Sequence, residues 1–306
     1  LPTPHDFISA VWHLQNEVGV TEYAENFIVG GNTASPGQFP YQASLRTSAN
    51  AHFCGGSIAN NRWIVSAAHC TNEVGVTEYA ENFIVGGNTA SPGQFPYQAS
   101  LRTSANAHFC GGSIANNRWI VSAAHCTVGR TTGNTVVVLG AHSRTAGGTT
   151  HQLSRIVNHP QYNANTIAND VSVVQTTNAI VFTNLIQPIP LGSNHIGGGV
   201  TAVASGWGLT SSPGSLAANL QFVHVQTLTN ANCRNNIGGN GALVFDHKIC
   251  AGGVVGQGVC TADSGGPLAA GNTCIGIVSW GIPCARGFPD VYDRVSSHRN
   301  WIVGHF

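Results

Sequence analysis

The sequence predicts an all-β protein, and three observations carry that expectation. Short β-branched or apolar runs recur at residues 135–139, 200–205, 220–228 and 274–280. Clusters of Gly, Pro, Asn and Ser separate them, as at 197–199 and 211–214, the punctuation of strands joined by turns. A hydrophobic content of 42% with 38 glycines supplies both a large core and many turns. Helical periodicity is weak until 297–303, where a short C-terminal helix is expected. From the strands alone, a β-sandwich and a pair of β-barrels fit equally well.

Composition narrows the function classes. The 306 residues carry 12 basic and 12 acidic side chains, a formal net charge of zero. Only 8% of residues are charged, against about 25% in an average soluble domain. Lys248 is the sole lysine. Nucleic acids and acidic membranes are recognised by clustered basic faces, so neither is an expected partner. No run of about 18 apolar residues occurs, so no spanning segment is expected. Residues 1–15 show neither a basic start nor an apolar stretch of signal-peptide length. Nine cysteines point toward an oxidising compartment.

An identical repeat dominates the organisation. Residues 16–71 and 72–127 are the same 56 residues. Solenoid repeats diverge and need about three copies to stabilise one another. Two perfect copies read instead as a recent duplication or an artefact of sequence assembly, the functional alternative being a long inhibitory pro-segment. Only one copy can fill a given place in a fold. The second is contiguous with the remaining chain and is assigned to the folded domain. All six glutamates lie in the two EVGVTEYAENF stretches, whereas ten basic and five acidic residues follow from Ile84 onward. A boundary is therefore expected there, with 1–83 as a leader and 84–306 as the domain.

Three segments carry chemistry. Ala123-Ala124-His125-Cys126 sets a histidine beside a cysteine, Asn169-Asp170-Val171 starts an apolar run with an aspartate, and Ala262-Asp263-Ser264-Gly265-Gly266-Pro267 puts a serine in a glycine-bounded turn. A serine hydroxyl is a poor nucleophile until an imidazole takes its proton. A buried carboxylate holds that imidazole in the required tautomer. A glycine-rich turn lets backbone N–H groups approach a developing oxyanion.

With these motifs the chain resembles the chymotrypsin-like serine proteases, especially insect digestive members of chymotrypsin or collagenase type. The resemblance runs from Ile84 to about Val303 and rests on IVGG (84–87), CGGSI (110–114), AAHC, NDV, DSGGP, SWG (279–281) and FPDVY (288–292), in that order. It implies two six-stranded antiparallel β-barrels with the site between them. It also implies His125 as general base, Asp170 as its orienter, Ser264 as nucleophile, and the N–H groups of Ala262 and Ser264 as oxyanion donors. His69, the twin of His125, is expected to be inert.

In this family a cut before the isoleucine frees an α-amine that pairs with the carboxylate beside the serine. Here those groups are Ile84 and Asp263. Two positions depart from the pattern. Phe83 precedes Ile84 where Arg or Lys is usual, and Ala262 replaces a glycine. The same Phe-Ile junction occurs at Phe27-Ile28, where a cut is expected to leave an inactive product.

The resemblance places Gly258 at the base of the specificity pocket, Ser279 and Gly281 along it, and Asp290 on its wall. With no carboxylate at the base, a strict preference for Arg or Lys is not expected. Asp290 suggests broad acceptance of aromatic, aliphatic and some basic side chains. The family pattern further implies the bridges Cys110–Cys126, Cys233–Cys250 and Cys260–Cys284, leaving Cys274 as a buried thiol. Cys54 and Cys70 are expected to bridge each other or mispair. No metal or cofactor is expected, since residues 140–169 contain no carboxylate for a hard cation. The reading is a secreted, monomeric digestive zymogen of the gut lumen, acting on proteins and meeting proteinaceous inhibitors. The alternative is a catalytically inactive homologue that binds or regulates.

Overall fold

The computed structural model describes residues 34–35, 37–46, 51–59, 64–66, 86–211, 214–282 and 284–306. The chain divides into two compact units, Leu1–Ala80 and Glu81–Phe306. Phe27, Ile28, His69, Cys70, Phe83 and Ile84 lie outside the described residues. In the first unit β1 (Gln42–Arg46), β2 (His52–Ile58) and β3 (Ile64–Val65) form an antiparallel sheet in that order.

The second unit holds two barrels. The first is closed by six antiparallel strands: β5 (Gln98–Thr103), β6 (His108–Ile114), β7 (Trp119–Ser122), β8 (Thr135–Leu139), β9 (Thr149–Asn158) and β10 (Ser172–Thr176), in the order β10-β7-β6-β5-β8-β9. The second is built from β11 (Thr201–Gly206), β12 (Gln221–Leu228), β13 (Lys248–Gly252), β14 (Pro267–Ala270), β15 (Thr273–Trp280) and β16 (Pro289–Arg294). Its order is β11-β14-β15-β16-β13-β12, and pairing of β11 with β12 closes the ring. A short β4 (Asn88–Thr89) adds to β12 from outside.

Each pattern has a local cause. β12 alternates, with Val223 and Val225 in the core and His224 and Gln226 toward water, the period of a one-sided strand. β8 reads as an unbroken apolar run because both its faces are covered. Val137 and Leu139 enter the first barrel's core, while Val138 packs with Trp207 and Leu220 outside it. Full burial of each such side chain stabilises by about 1.5–3 kcal/mol. Ala269, Cys274 and Ile277 of the second barrel join the first barrel's apolar cluster, while Val223, Val225, Ile249 and Tyr292 form a separate core in the second.

The expected C-terminal helix forms over Val295–Val303, two residues earlier than its periodicity begins. Two shorter helices, over Ala124–Thr127 and Asn230–Asn236, carry no such periodicity because they are too short to show one. In chain order these three are α1, α2 and α3.

Candidate active site

The site gathers side chains from both barrels. His125 sits on α1, which the Cys110–Cys126 disulfide ties to β6. Asp170 precedes β10 and is fully buried. His125 Nδ1 lies 2.7 Å from Asp170 Oδ2, and the His125 backbone N–H donates to Oδ1 at 2.8 Å. The Ser279 hydroxyl donates to Oδ2 at 2.7 Å. A carboxylate only accepts, so the Nδ1 that faces it carries the proton and Nε2 keeps its lone pair. The nearest partner of Nε2 is the bridged Cys126 sulfur at 3.7 Å, too weak an interaction to occupy that lone pair.

Ser264 is half buried and lines a cavity of about 440 Å³. Its loop is pinned from both barrels: Gly111 donates to Ser264 O at 2.7 Å, and Gly265 donates to Val278 O at 2.8 Å. Gly265 has φ 79°, and a Cβ there would stand 2.2 Å from Ser122 Oγ and 2.6 Å from Gly111 O. Only glycine fits that turn. Among the described residues no hydrogen bond joins the Ser264 hydroxyl to His125. Such bonds often tighten only when substrate arrives.

Ala262 and Ser264 keep their backbone N–H groups unspent on any acceptor among the described residues. Ala262 adopts φ 76°, a left-handed conformation that its methyl group disfavours by about 1–2 kcal/mol. A relay holds it there. Arg102 Nε donates to Ser100 Oγ at 2.8 Å, Ser100 Oγ lies 2.8 Å from His108 Nδ1, and His108 Nε2 lies 3.1 Å from Ala262 O. Burial pushes His108 down to about 4, against the lifting effect of Ala262 O and with help from Arg102 and Arg144. The ring is therefore neutral near pH 7 and donates one proton to the carbonyl.

Asp263 is fully buried and accepts from Gly208 N at 2.7 Å and Cys260 N at 3.0 Å. Burial lifts its carboxyl to about 7 despite those two donors. Its expected partner Ile84 lies outside the described residues.

The cavity beside Ser264 is lined by Val259, Ser279, Trp280, Gly281 and Asp290 among others. The Asp290 carboxyl faces it at 4% exposure and accepts from Val259 N at 2.9 Å. A Cβ on Gly258 would come 2.7 Å from Asp290 Oδ2, and one on Gly281 3.0 Å from Oδ1. The two glycines thus make room for the carboxyl. Burial raises it to about 7, with Val259 N opposing and Asp263 reinforcing the rise. The Cys260–Cys284 disulfide ties together the segments on either side of this cavity, and Cys233–Cys250 anchors α2 to β13. Cys274 is a buried thiol, pushed up to about 11 chiefly by burial.

The Trypsin family profile matches residues 28–82 and 84–302. The chain belongs to the trypsin family. It is 36% identical to Trypsin beta of Drosophila erecta over 248 residues, covering 79% of this chain and 97% of that protein. It is 35% identical to Trypsin delta of Drosophila melanogaster over the same shares of the two chains, 79% and 97%. With Trypsin Blo t 3 of Blomia tropicalis it shares 39% over 234 residues, 74% of this chain and 87% of that protein. Membership of this family makes the chain a serine endopeptidase of the chymotrypsin-like class.

Sequence reasoning passed over Lys248, Asp293, His108 and the Ser279 hydroxyl. Lys248 and Asp293 are fully buried, but Lys248 only opens its strand KICAG and Asp293 shares PDVYDR with two other charged residues, so no local pattern marks them. Two groups among the described residues are clustered closely enough to suggest a metal, and neither is arranged for one. Cys110 and Cys126, beside His125, are bridged and offer no thiolate. In the group of His247, Asp293 and His298, the Asn169 N–H already occupies His247 Nε2, and Asp293 is taken by His298 and Lys248.

Proposed function

We propose that this trypsin-family chain is a catalytically competent, secreted, monomeric endopeptidase that cleaves dietary protein through an acyl-enzyme and accepts a broad range of side chains before the cut. The supporting observation is the His125–Asp170 pair, whose geometry leaves Nε2 as the free base. Ser264 attacks the scissile carbonyl, and Nε2 takes its proton and later gives it to the leaving amine. The N–H groups of Ala262 and Ser264 stabilise the oxyanion; loss of one such donor typically slows turnover by about 10²–10³. Release of Ile84 by a protease that cuts after Phe83 completes the zymogen's activation. Because Phe, and not Arg, precedes that bond, a chymotrypsin-like enzyme or another copy of this one fits the task. Proteinaceous inhibitors of this family's usual kind would occupy the same cleft.

A fluorophosphonate that labels activated serines tests the reading. The processed chain should take up one label, at Ser264, and His125→Ala should abolish uptake. No label on a folded, processed chain would favour the inactive binding homologue.

Asp290 sets the side-chain preference. An anionic carboxyl buried without a cation needs a partner or water, and an Arg side chain of the substrate supplies one. Asp290→Gly is expected to remove cleavage after Arg while keeping cleavage after Phe and Leu, measured on peptides that differ at that residue. Since burial raises Asp290 to about 7, it is neutral below that pH and charged above it. Cleavage after Arg should therefore fall more steeply than cleavage after Phe as pH drops below about 7. Parallel profiles for the two substrates would refute the assignment.

A further inference from the structure

Behind Asp170 lies a fully buried ion pair that the catalytic reading does not use. Lys248 at the start of β13 and Asp293 on β16 are both 0% exposed, with Nζ 2.5 Å from Oδ2. Lys248 is the chain's sole lysine. Its other two donors go to Ile167 O at 2.5 Å and Ser279 Oγ at 3.1 Å. All three ammonium protons are therefore spent, and each bond leads toward the aspartate of the site.

Direction is the informative part. An ammonium has no acceptor, so Ser279 Oγ must accept from Lys248. Its own proton then has one place to go, Asp170 Oδ2 at 2.7 Å. The relay can run only from Lys248 through Ser279 to Asp170, and the carboxylate is held facing His125.

The same cluster grips the backbone that carries Asp170. Ile167 and Asn169 both have φ 53°, a left-handed conformation that asparagine tolerates and that is an outlier for β-branched isoleucine. Lys248 holds Ile167 O, His247 Nε2 accepts the Asn169 N–H at 3.1 Å, and Asp293 Oδ2 accepts the Asp170 N–H at 3.2 Å. His298 on α3 completes the group, with Nε2 3.0 Å from Asp293 Oδ1. Burial alone would raise the Asp293 carboxyl, but His298 and Lys248 hold it below the usual carboxylate value. His159 packs edge-on against His298, and Tyr162 feels the charge of both aspartates.

We propose that the buried Lys248–Asp293 pair is a positioning device for the catalytic aspartate, fixing both the direction of the Ser279 hydroxyl and the strained backbone of Ile167–Asp170. This inference rests on the assignment of His125, Asp170 and Ser264 as the catalytic set. Neither Lys248 nor Asp293 touches substrate. Each acts through Asp170.

Three variants test it on the full chain processed before Ile84: Lys248→Met, Asp293→Asn and the double variant. Removing one partner strands a buried charge, whereas removing both is often tolerated, so the double variant protects the test if Lys248→Met fails to fold. Asp293→Asn leaves an uncompensated cation behind Asp170 and should move the acid limb of kcat/KM down by about one pH unit. Lys248→Met leaves an uncompensated anion and should move it up by a similar amount. The double variant should return the limb to its original position yet keep kcat about tenfold lower, with KM within about twofold, the size of one lost hydrogen bond. The ¹⁵N resonances of the His125 ring, followed with pH, should show the same opposed shifts.

An acid limb unmoved in folded Asp293→Asn, shifts in one common direction, or an unchanged kcat in the double variant would overturn the proposal. Fluorophosphonate labelling of the unaltered enzyme separates this failure from failure of the catalytic assignment. Without labelling the assignment falls, while the histidine titration still reads the effect of the pair.

Discussion

Asp170→Asn is expected to lower kcat by about 10⁴ with little change in KM, the size of loss known when a triad aspartate becomes an amide. The hydrogen bonds around Asp170 explain why. Oδ1 accepts from the His125 backbone, and Oδ2 accepts from both His125 Nδ1 and the Ser279 hydroxyl. An amide must place its NH₂ at one of these positions. At Oδ1 it meets a backbone N–H that cannot turn away. At Oδ2 it meets a ring that can exchange tautomers, so that Nδ1 accepts and Nε2 carries the proton. The second arrangement leaves only the Ser279 hydroxyl facing a donor, so that bond is lost, and it removes the base that Ser264 needs. Initial rates on a peptide with Phe before the cut, together with ¹⁵N detection of the tautomer, check this. Wild-type kcat in folded Asp170→Asn would refute the role given to Asp170.

The second large effect concerns Asp263. In the uncut chain this carboxyl is raised to about 7 by burial, so the folded state holds its proton more tightly than the unfolded state does. Stability from this group is complete below an unfolded value of about 4 and is lost as pH rises through about 7, on the order of a few kcal/mol. Cutting before Ile84 supplies an ammonium and reverses the sign. The ionised pair then persists at neutral pH and fails only when the amine loses its proton, above its free value of about 8. Three results are expected. The uncut chain should melt at a lower temperature at pH 8 than at pH 5, and cutting should shrink that difference. The cut enzyme should lose activity reversibly at high pH. Asp263→Asn in the cut enzyme should lower kcat/KM by about 10²–10⁴, since a buried charge left alone costs about 3–5 kcal/mol. Full activity after acetylation of the Ile84 amine would sink the whole account.

Much of the architecture was legible because its signals are local. The valine run at 135–139 becomes β8, and 220–228 becomes β12 with its one-sided alternation. Runs of this kind report strands but not their closure into barrels; that came from the ordered motifs from Ile84 to Tyr292. The motifs also named His125 and Asp170, which the structure brings to 2.7 Å. They were silent on Lys248 and Asp293, 45 positions apart in sequence, because a long-range ion pair leaves no periodicity behind.

The duplicated segment separates what sequence and tertiary structure each decide. In both copies the first two strands pair in one register, Gln42 with Ser57 and Gln98 with Ser113. In both, an arginine donates to a serine that meets a histidine, Arg46–Ser44–His52 and Arg102–Ser100–His108. Those contacts are short-range, so identical residues form them twice. Burial is not repeated: Gln42 and Arg46 are exposed, while Gln98 and Arg102 are 3% and 1% exposed. β5 gains β8 as a second neighbour, and His108 gains Ala262 O, 154 positions away. A local hydrogen bond needs only its own few residues. Desolvating a strand and aiming a histidine at the oxyanion loop needs the rest of the barrel, and each place in that barrel holds a single copy.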